Sequence, residues 1–149
     1  MRTIKFRGII KNPDELFNGF IYGDLIHYAN GNVAIRQKET GQEFEVDPET
    51  VGQCTGLLDK NGKKIFEGDV LQSECTKVLK SEIDDDLFKI PNIEKRIYNN
   101  VIDWYNGVRV SGWRIKGKGF QAQLKWSTVL NMNFEIIGNV HDNPELLKN

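Results

Sequence analysis

Four Asn-Gly pairs punctuate this chain, and they constrain its fold more than any other feature. Asparagine followed by glycine supplies the positive φ angles that tight β-hairpin turns require. Two of the pairs lie between short runs of β-branched and aromatic residues, which is the pattern of antiparallel strands joined by a turn. The sequence therefore predicts frequent chain reversals and two well-defined hairpins. The hairpin pairs are Asn30-Gly31 and Asn106-Gly107, and the other two pairs are Asn18-Gly19 and Asn61-Gly62.

The turn at Asn61-Gly62 carries a second signal in its first residue, Asp59. An aspartate at this position can accept hydrogen bonds from the turn backbone, and glycine can take the left-handed conformation that follows. We expect Gly62 to have a positive φ and a strand to resume at Lys64 to Phe66.

The C-terminal part alternates apolar and polar residues in the period of a strand with one buried face. We expect one strand from Phe120 to Trp126 and another at Phe134 to Ile137. Helix is expected only in short pieces, because no stretch of ten or more residues has helical periodicity. The sequence predicts these pieces near Ser127 to Asn131, near Pro144 to Lys148 with Asn143 as the cap, and within Lys80 to Lys95. The predicted fold class is all-β, mostly antiparallel.

Two lobes are expected within one compact chain. Residues 1–50 would form an N-terminal β lobe or arm, joined through Asp47-Pro48-Glu49 to a lobe formed by residues 51–149. By analogy of strand order, the second lobe is expected to be a small SH3-like barrel. The stretch near 77–96 has acidic residues and no clear period, so we expect an irregular insertion or one short helix there.

Composition limits the function classes. The chain has 149 residues, 28% of them charged, and a formal net charge of -1, so no global field draws it toward nucleic acid or an anionic membrane. The N-terminus lacks a continuous apolar segment and no later stretch is long enough to span a bilayer, so a cytoplasmic protein without membrane contact is expected. Cys54 and Cys75 are expected to be reduced thiols.

Motifs for cofactors and metals are incomplete. Gly112 to Lys118 has the spacing of a phosphate-binding loop, but Gly119 stands where Ser or Thr is needed and a strand is expected to follow. The run Asp84 to Asp86 lacks the glycine and terminal glutamate of a calcium loop. No short spacing for zinc links the chain's histidines and cysteines. We therefore expect no cofactor and no metal; the scattered residues are His27, His141, Cys54 and Cys75.

No catalytic set is readable either. The candidate carboxylates are Glu67, Asp69 and Asp103, and Asp69 after Gly68 is expected to accept a backbone hydrogen bond at the start of a strand. None of the serines at 73, 81, 111 and 127 has the context of a nucleophile with an adjacent base. We assign no catalytic residue.

One positive signal lies between residues 109 and 126, where cationic side chains interleave with aromatic ones. Small β-barrels bind single-stranded nucleic acid with this combination. Alternation also allows the aromatic residues to be core and the cations to be the solvated face of the same strands, which we favour. The candidate nucleic-acid contacts are Arg109, Trp113, Arg114, Lys116, Lys118 and Lys125, with Phe120 and Trp126 as further rings.

Three sequence blocks resemble the YopX family of phage and prophage proteins. They are Met1 to Gly8, Val51 to Val70 and Phe134 to Leu147. The chain departs from the family's usual residues at Cys54 and at His141-Asp142. The shared positions look like turn and cap residues, so the resemblance implies a fold and a phage context without an activity. They are Thr55, Gly56, Asp59, Gly62, Glu67, Gly68, Asp69, Gly138, Asn139, Asn143, Pro144 and Glu145.

We therefore expect a non-enzymatic protein that acts by binding a host or phage protein. Short β lobes expose strand edges that self-association can cover, so a homo-oligomer is expected. The alternatives are a single-stranded nucleic-acid-binding module that uses strands 109–126 and an enzyme that modifies nucleic acid.

Overall fold

A computed structural model describes residues 4–13, 19–78, 93–108, 111–118 and 120–148. These residues form eleven strands in two sheets, and all the strand pairings among them are antiparallel. The all-β prediction is confirmed. The strands are β1 (Phe6–Ile9), β2 (Phe20–His27), β3 (Val33–Arg36), β4 (Glu43–Val46), β5 (Gly52–Leu58), β6 (Lys64–Phe66), β7 (Asp69–Val78), β8 (Ile93–Asn106), β9 (Ser111–Gly117), β10 (Phe120–Gln123) and β11 (Glu135–Asn139).

The first sheet has the order β4-β3-β2-β1-β5-β6. The hairpin predicted at Asn30-Gly31 joins β2 to β3, and Gly31 has a φ of 87°. An isolated bridge pairs Ile10 with Val46, which brings β4 beside the end of β1. This bridge curves the sheet toward one of its faces. The apolar residues come together on that face because alternate side chains of each strand point to the same side. The buried residues of this first core are Ile10, Ile21, Val33, Ile35, Phe44 and Val46.

The second sheet has the order β10-β9-β8-β7-β11. Its longest ladder runs from Val70 opposite Val101 to Val78 opposite Ile93. The irregular segment predicted near 77–96 is paired strand at its two described ends, 77–78 and 93–96. Residues 79–92 lie outside the described part of the chain, so for them the insertion stays a prediction. Ile102 and Ile115 face each other across β8 and β9 and are fully buried. The second core consists of Ile65, Leu71, Ile102, Ile115, Leu124, Val129 and Phe134.

The boundary between the two sheets and the boundary between the two cores lie at different positions in the chain. Backbone pairing continues across residue 50, because Phe6 and Arg7 of β1 pair with Gln53 and Gly52 of β5. The change from the first core to the second also comes after residue 50, since Leu57 packs against the second core and Ile65 is part of it. The lobes 1–50 and 51–149 stay a prediction. Both sheets are open, and the SH3-like detail is not confirmed.

The helix predicted near Ser127 is present as α1 (Trp126–Met132), which ends at Asn133 with a φ of 47°. The strand predicted to reach Trp126 is too long, because β10 ends at Gln123 and α1 begins at Trp126; the predicted burial of Leu124 is observed. A 3₁₀ helix begins at Pro144 as expected, but the Asn143 side chain makes no capping hydrogen bond. Another 3₁₀ helix spans Pro48–Thr50.

The Asn-Gly predictions are confirmed at three glycines and corrected at one. Gly19, Gly31 and Gly62 have φ values of 80°, 87° and 79°. Asn18 lies outside the described residues. Gly107 is not among the positive-φ glycines. The β8–β9 hairpin exists nevertheless, because Asn106 pairs with Ser111 and the connection takes four residues instead of a two-residue turn.

Candidate anion-binding cleft

A cleft with a volume of about 510 Å³ lies between the two sheets. The first sheet contributes cationic and aromatic side chains from β1, β2 and β6, and the second sheet contributes side chains from β7 and β11. Its size falls within the range of small-molecule sites. We call it the inter-sheet cleft; its lining residues are Lys5, Arg7, Phe20, Tyr22, Lys63, Lys64, Phe66, Asp69, Ile136, Gly138 and Asn139.

A buried ion pair between the sheets forms the floor of the cleft. Arg7 of β1 and Asp69 of β7 have side chains that are 6% and 2% exposed, and Arg7 Nη1 lies 2.6 Å from Asp69 Oδ1. Opposite charges at this distance attract each other strongly when they are shielded from water. Asp69 Oδ2 accepts a hydrogen bond of 2.8 Å from the Phe66 N–H. The predicted backbone role of Asp69 is confirmed, and its partnership with Arg7 is additional.

The guanidinium of Arg7 is held by two aromatic rings and one carbonyl. Its central carbon lies 4.5 Å from the ring centroid of Phe20 and 5.1 Å from that of Phe66. Guanidinium groups stack on aromatic faces because the ring quadrupole attracts the cation, and the attraction is stronger away from water. Arg7 Nη2 also donates to the Glu67 carbonyl at 3.0 Å.

Gly52 makes this arrangement possible. It pairs with Arg7 across β1 and β5, and a Cβ at this position would lie 2.7 Å from the Glu67 carbonyl oxygen. Any larger residue would displace the carbonyl that accepts from Arg7. Gly52 therefore leaves room for the Glu67 carbonyl that accepts a hydrogen bond from Arg7.

Burial controls the proton affinity of Asp69. Desolvation raises the pKa of Asp69 above its ordinary value, because removal from water disfavours the carboxylate. The positive charge of Arg7, the Phe66 N–H and the charge of Lys63 oppose this rise. Arg7 Nε is also buried and has no hydrogen-bond partner among the described residues. One donor of the guanidinium is thus left unmatched beside the cleft.

Three lysines give the cleft an excess of positive charge. Lys5 lies just before β1, and Lys63 and Lys64 lie at the start of β6. Among the residues that the structure describes, none of these lysines has a carboxylate partner within ion-pair distance. Asp69 is the only acidic residue in the described lining, and Arg7 neutralises it. The cleft is therefore cationic although the whole chain has a net charge of -1.

The turn that begins at Asp59 fixes the position of Lys63. Asp59 is buried, and its Oδ1 accepts from the N–H groups of Asn61 and Lys63 at 2.9 and 2.8 Å. Its Oδ2 accepts from the Ile136 N–H of β11 at 3.2 Å. One carboxylate therefore closes the turn and joins it to the second sheet.

The opposite wall of the cleft is fixed by Asn139. Its Oδ1 accepts from the N–H groups of His141 and Asp142, both at 2.9 Å, and its Nδ2 donates to Asp142 Oδ2 at 2.7 Å. A Cβ at Gly138 would lie 2.4 Å from Asn143 Oδ1. The C-terminal sequence block therefore forms a tightly packed loop behind the cleft, consistent with its predicted turn role.

The site predicted between residues 109 and 126 lies elsewhere, on β9 and β10. Arg114 donates through Nε to Asp103 Oδ1 at 2.8 Å and through Nη2 to Asp103 Oδ2, and its Nη1 donates to Gln121 at 3.1 Å. Its guanidinium also lies 4.7 Å from the ring centroid of Tyr105. These contacts already engage Arg114, one of the candidate nucleic-acid contacts.

Trp113 lies on the opposite face of β9 from Arg114, because adjacent residues alternate. It packs against the second core and contacts Trp104 edge to face at a centroid distance of 4.9 Å. Lys116, Lys118 and Lys125 are exposed. Arg109 lies outside the described residues, as do the side chains of Phe120 and Trp126. Trp113 is the only one of the three predicted rings whose side chain is described, and it lies on the face of β9 opposite Arg114.

The structure also shows where the incomplete cofactor and metal motifs of the sequence lie. Gly112 to Gly117 belong to β9, and β10 begins at Phe120, so this segment is a hairpin. In the described part of the chain, no group of three or more His, Cys, Asp or Glu residues is arranged to hold a metal ion. Cys54 is a free thiol. None of the described helices has the length and apolar character required to cross a membrane.

The cleft was missed at the sequence level, although a weak signal was present. Lys5 and Arg7 are two residues apart, as are Phe20 and Tyr22, so each pair lies on one face of its strand. Arg7 is the cross-strand partner of Tyr22. That register depends on the pairing of β1 with β2. The position of Lys63 and Lys64 depends on the pairing of β6 through β5 with β1, and the position of Asp69 depends on how the two sheets meet.

The fold and the cleft define an all-β protein of two open antiparallel sheets with a cationic, aromatic site between them. Comparison with family models matches residues 5–148 to the YopX protein family, and the chain belongs to this family. No curated protein sequence matches the chain.

Proposed function

We propose that this protein acts by binding and that the inter-sheet cleft receives an anionic partner. The observation that carries the proposal is the position of Lys5, Lys63 and Lys64 around the cleft without carboxylate partners in the described structure. Ammonium groups in a cleft with apolar walls attract anions more strongly than dispersed surface charges do. The rings of Phe20, Tyr22 and Phe66 supply those walls.

A binding role is favoured over catalysis by the state of Asp69. A general acid or base must reach a reacting group with a free lone pair or proton. The carboxylate of Asp69 is 2% exposed and is engaged by Arg7 and the Phe66 N–H. It acts as a structural group that positions Arg7, and the described lining contains no histidine or cysteine. An enzyme that modifies nucleic acid is therefore the weaker alternative.

We place this activity in the cytoplasm of a bacterium that carries a phage or prophage, in keeping with the phage context implied by the family resemblance. Two partner classes carry such an anion, the acidic surface of a host or phage protein and nucleic acid. Self-association is a second part of the proposal, since β6 and β10 are edge strands of their sheets. Sedimentation velocity over a range of protein concentrations tests it, and a constant monomer mass would contradict it.

The test of the cleft uses inorganic tripolyphosphate, an anion without a ring. Calorimetric titration should show binding that weakens between about 50 mM and about 200 mM salt, because added salt screens the attraction between the lysines and the anion. Replacing Lys5, Lys63 and Lys64 together with glutamine should reduce the affinity about tenfold or more, which corresponds to about 1.4 kcal/mol.

The matched control replaces three lysines outside the cleft with glutamine: Lys11, Lys38 and Lys95. Each forms an ion pair, with Glu45, Asp24 and Glu74 respectively. This variant changes the net charge by the same amount and should retain the affinity. Equal losses in the two triple variants would show that only total charge matters and would contradict a specific site in the cleft.

The surface of β9 and β10 is a second candidate binding site, and its ligand would be nucleic acid. It is supported by the exposure of Lys116, Lys118 and Lys125. It is weakened by the engagement of Arg114 with Asp103 and by the contact of Trp113 with the core. A Lys116→Gln, Lys118→Gln variant provides the direct comparison with the cleft.

A further inference from the structure

We propose that the inter-sheet cleft binds single-stranded nucleic acid, with a base stacked on Tyr22 and the neighbouring phosphates on Lys5, Lys63 and Lys64. This inference rests on the proposed function, because it requires that the cleft receive an anion. It adds the chemical class of the ligand, which is a chain of nucleotide units, each with a phosphate beside a planar base.

Tyr22 has the position that a stacking platform requires. It lies in β2 directly opposite Arg7, and its side chain is 48% exposed although it lines the cleft. Its ring packs against Phe66 with a centroid distance of 5.4 Å and an interplanar angle of 63°. The residue thus contacts a buried neighbour through its ring and is still about half exposed to solvent. Base stacking on such a ring tolerates any sequence, since every base has a π-face.

The cations beside Tyr22 favour phosphate over carboxylate. Arginine grips carboxylates with two parallel hydrogen bonds, but Arg7 is already paired with Asp69 and stacked between Phe20 and Phe66. The cations left for a ligand are lysines, which act as point charges and bind phosphates. An acidic peptide would meet no free guanidinium in the described lining. It would also gain little from an exposed aromatic face.

The geometry also favours a single strand over a duplex. A ring set within a cleft reaches a base only when the base is unstacked, and the bases of a duplex present their edges in the grooves. Lys5 precedes β1, Lys63 precedes β6 and Lys64 begins it, and β5 lies between these two strands. The strands that position these cations are therefore two strand spacings, or about 10 Å, apart across the sheet. An extended strand can contact cations at both ends of this span.

The experiment measures fluorescence anisotropy of a labelled oligothymidine of about twelve nucleotides, a length within the site size of small β domains. Tyr22→Ala should weaken binding about 5- to 150-fold, the range measured for loss of one stacked base. Tyr22→Phe should retain the affinity because it keeps the ring. Tyr28→Ala is the control, since Tyr28 is also exposed but bonds to Glu43 outside the cleft lining.

Competition identifies the ligand class. Unlabelled oligothymidine should displace the probe, whereas an oligoglutamate peptide of equal charge, a duplex of equal length and thymidine monophosphate should not do so at the same concentration. Displacement by the peptide would assign the cleft to acidic proteins and overturn the inference. Displacement by the mononucleotide would assign it to free nucleotides and overturn the polymer ligand.

Two further outcomes would overturn the inference while the proposed function stands. One is oligonucleotide binding that Tyr22→Ala leaves unchanged, with the cleft lysines still required, because charge alone would then hold the strand. The other is tripolyphosphate binding without oligonucleotide binding. Loss of binding in the Lys116→Gln, Lys118→Gln variant alone would move the nucleic-acid site to β9. Failure to bind either probe at low salt would contradict the proposed function itself.

Discussion

Replacing Arg7 with methionine tests the central contact of this structure. Methionine keeps an unbranched side chain between Phe20 and Phe66 but removes the charge. Asp69, whose side chain is 2% exposed, then loses the cation 2.6 Å away and keeps the Phe66 N–H as its hydrogen-bond donor. Removing one partner of a buried ion pair costs about 3 to 5 kcal/mol of unfolding free energy, because the other charge stays desolvated.

Protonation of Asp69 limits this cost. A carboxylate with a pKa near 3.9 requires about 4 kcal/mol to be protonated at pH 7, at about 1.36 kcal/mol for each pH unit. Burial already raises the pKa of Asp69, so protonation in the variant costs less than this. The loss of the contacts of Arg7 with two rings and with the Glu67 carbonyl adds to the charge term. We therefore expect a total of about 3 to 4 kcal/mol at pH 7.

The same argument fixes the sign of the pH dependence. Without Arg7, the pKa of Asp69 in the folded state should lie still further above its value in the unfolded chain. Between these two pKa values the folded state binds more protons, so stability increases as the pH falls. The Arg7→Met variant should recover part of its deficit relative to the wild type between pH 7 and about pH 5.

The assay is urea denaturation followed by tryptophan fluorescence, with the slope compared between variants. Arg36→Met is the control, because Arg36 forms an exposed pair with Glu43 that is worth about 0 to 1 kcal/mol. Adding Asp69→Asn to Arg7→Met removes both charges, keeps an acceptor for the Phe66 N–H and should restore much of the stability. The reasoning is refuted if Arg7→Met costs no more than the control, or if its cost is the same at both pH values.

Two predictions concern the turn at residues 59–62. Gly62 has a φ of 79° with open space around its Cβ position, so Gly62→Val should cost about 1 to 3 kcal/mol from backbone strain alone, and an unchanged urea midpoint would contradict this. Asp59→Ala removes the acceptor of three backbone N–H groups and should cost about 2 to 4 kcal/mol. Asp59→Asn keeps an oxygen at the Oδ1 position, which accepts two of the three bonds, and should cost less; equal midpoints for the two variants would refute the bonding role of Oδ1.

Local chemistry explains why the sequence predicted the strands and most turns. The hairpin at Asn30-Gly31 and the turn that begins at Asp59 depend on backbone conformations and hydrogen bonds within a few residues. The bond from the Phe66 N–H to Asp69 spans three residues and was predicted for the same reason. The prediction of positive φ at Gly107 failed because the β8–β9 connection is longer than two residues, and strand patterns do not fix loop length.

The inter-sheet cleft is decided by tertiary structure alone. The sequence places Lys5 with Arg7, and Phe20 with Tyr22, on common faces of their strands, because side chains alternate with a period of two. It does not indicate which face the second sheet will cover. Only the contact between β1 and β7 buries Arg7 against Asp69, two residues far apart in the chain. Alternation sorts side chains between the two faces of a strand, but the burial of a charge depends on the surface that packs against it.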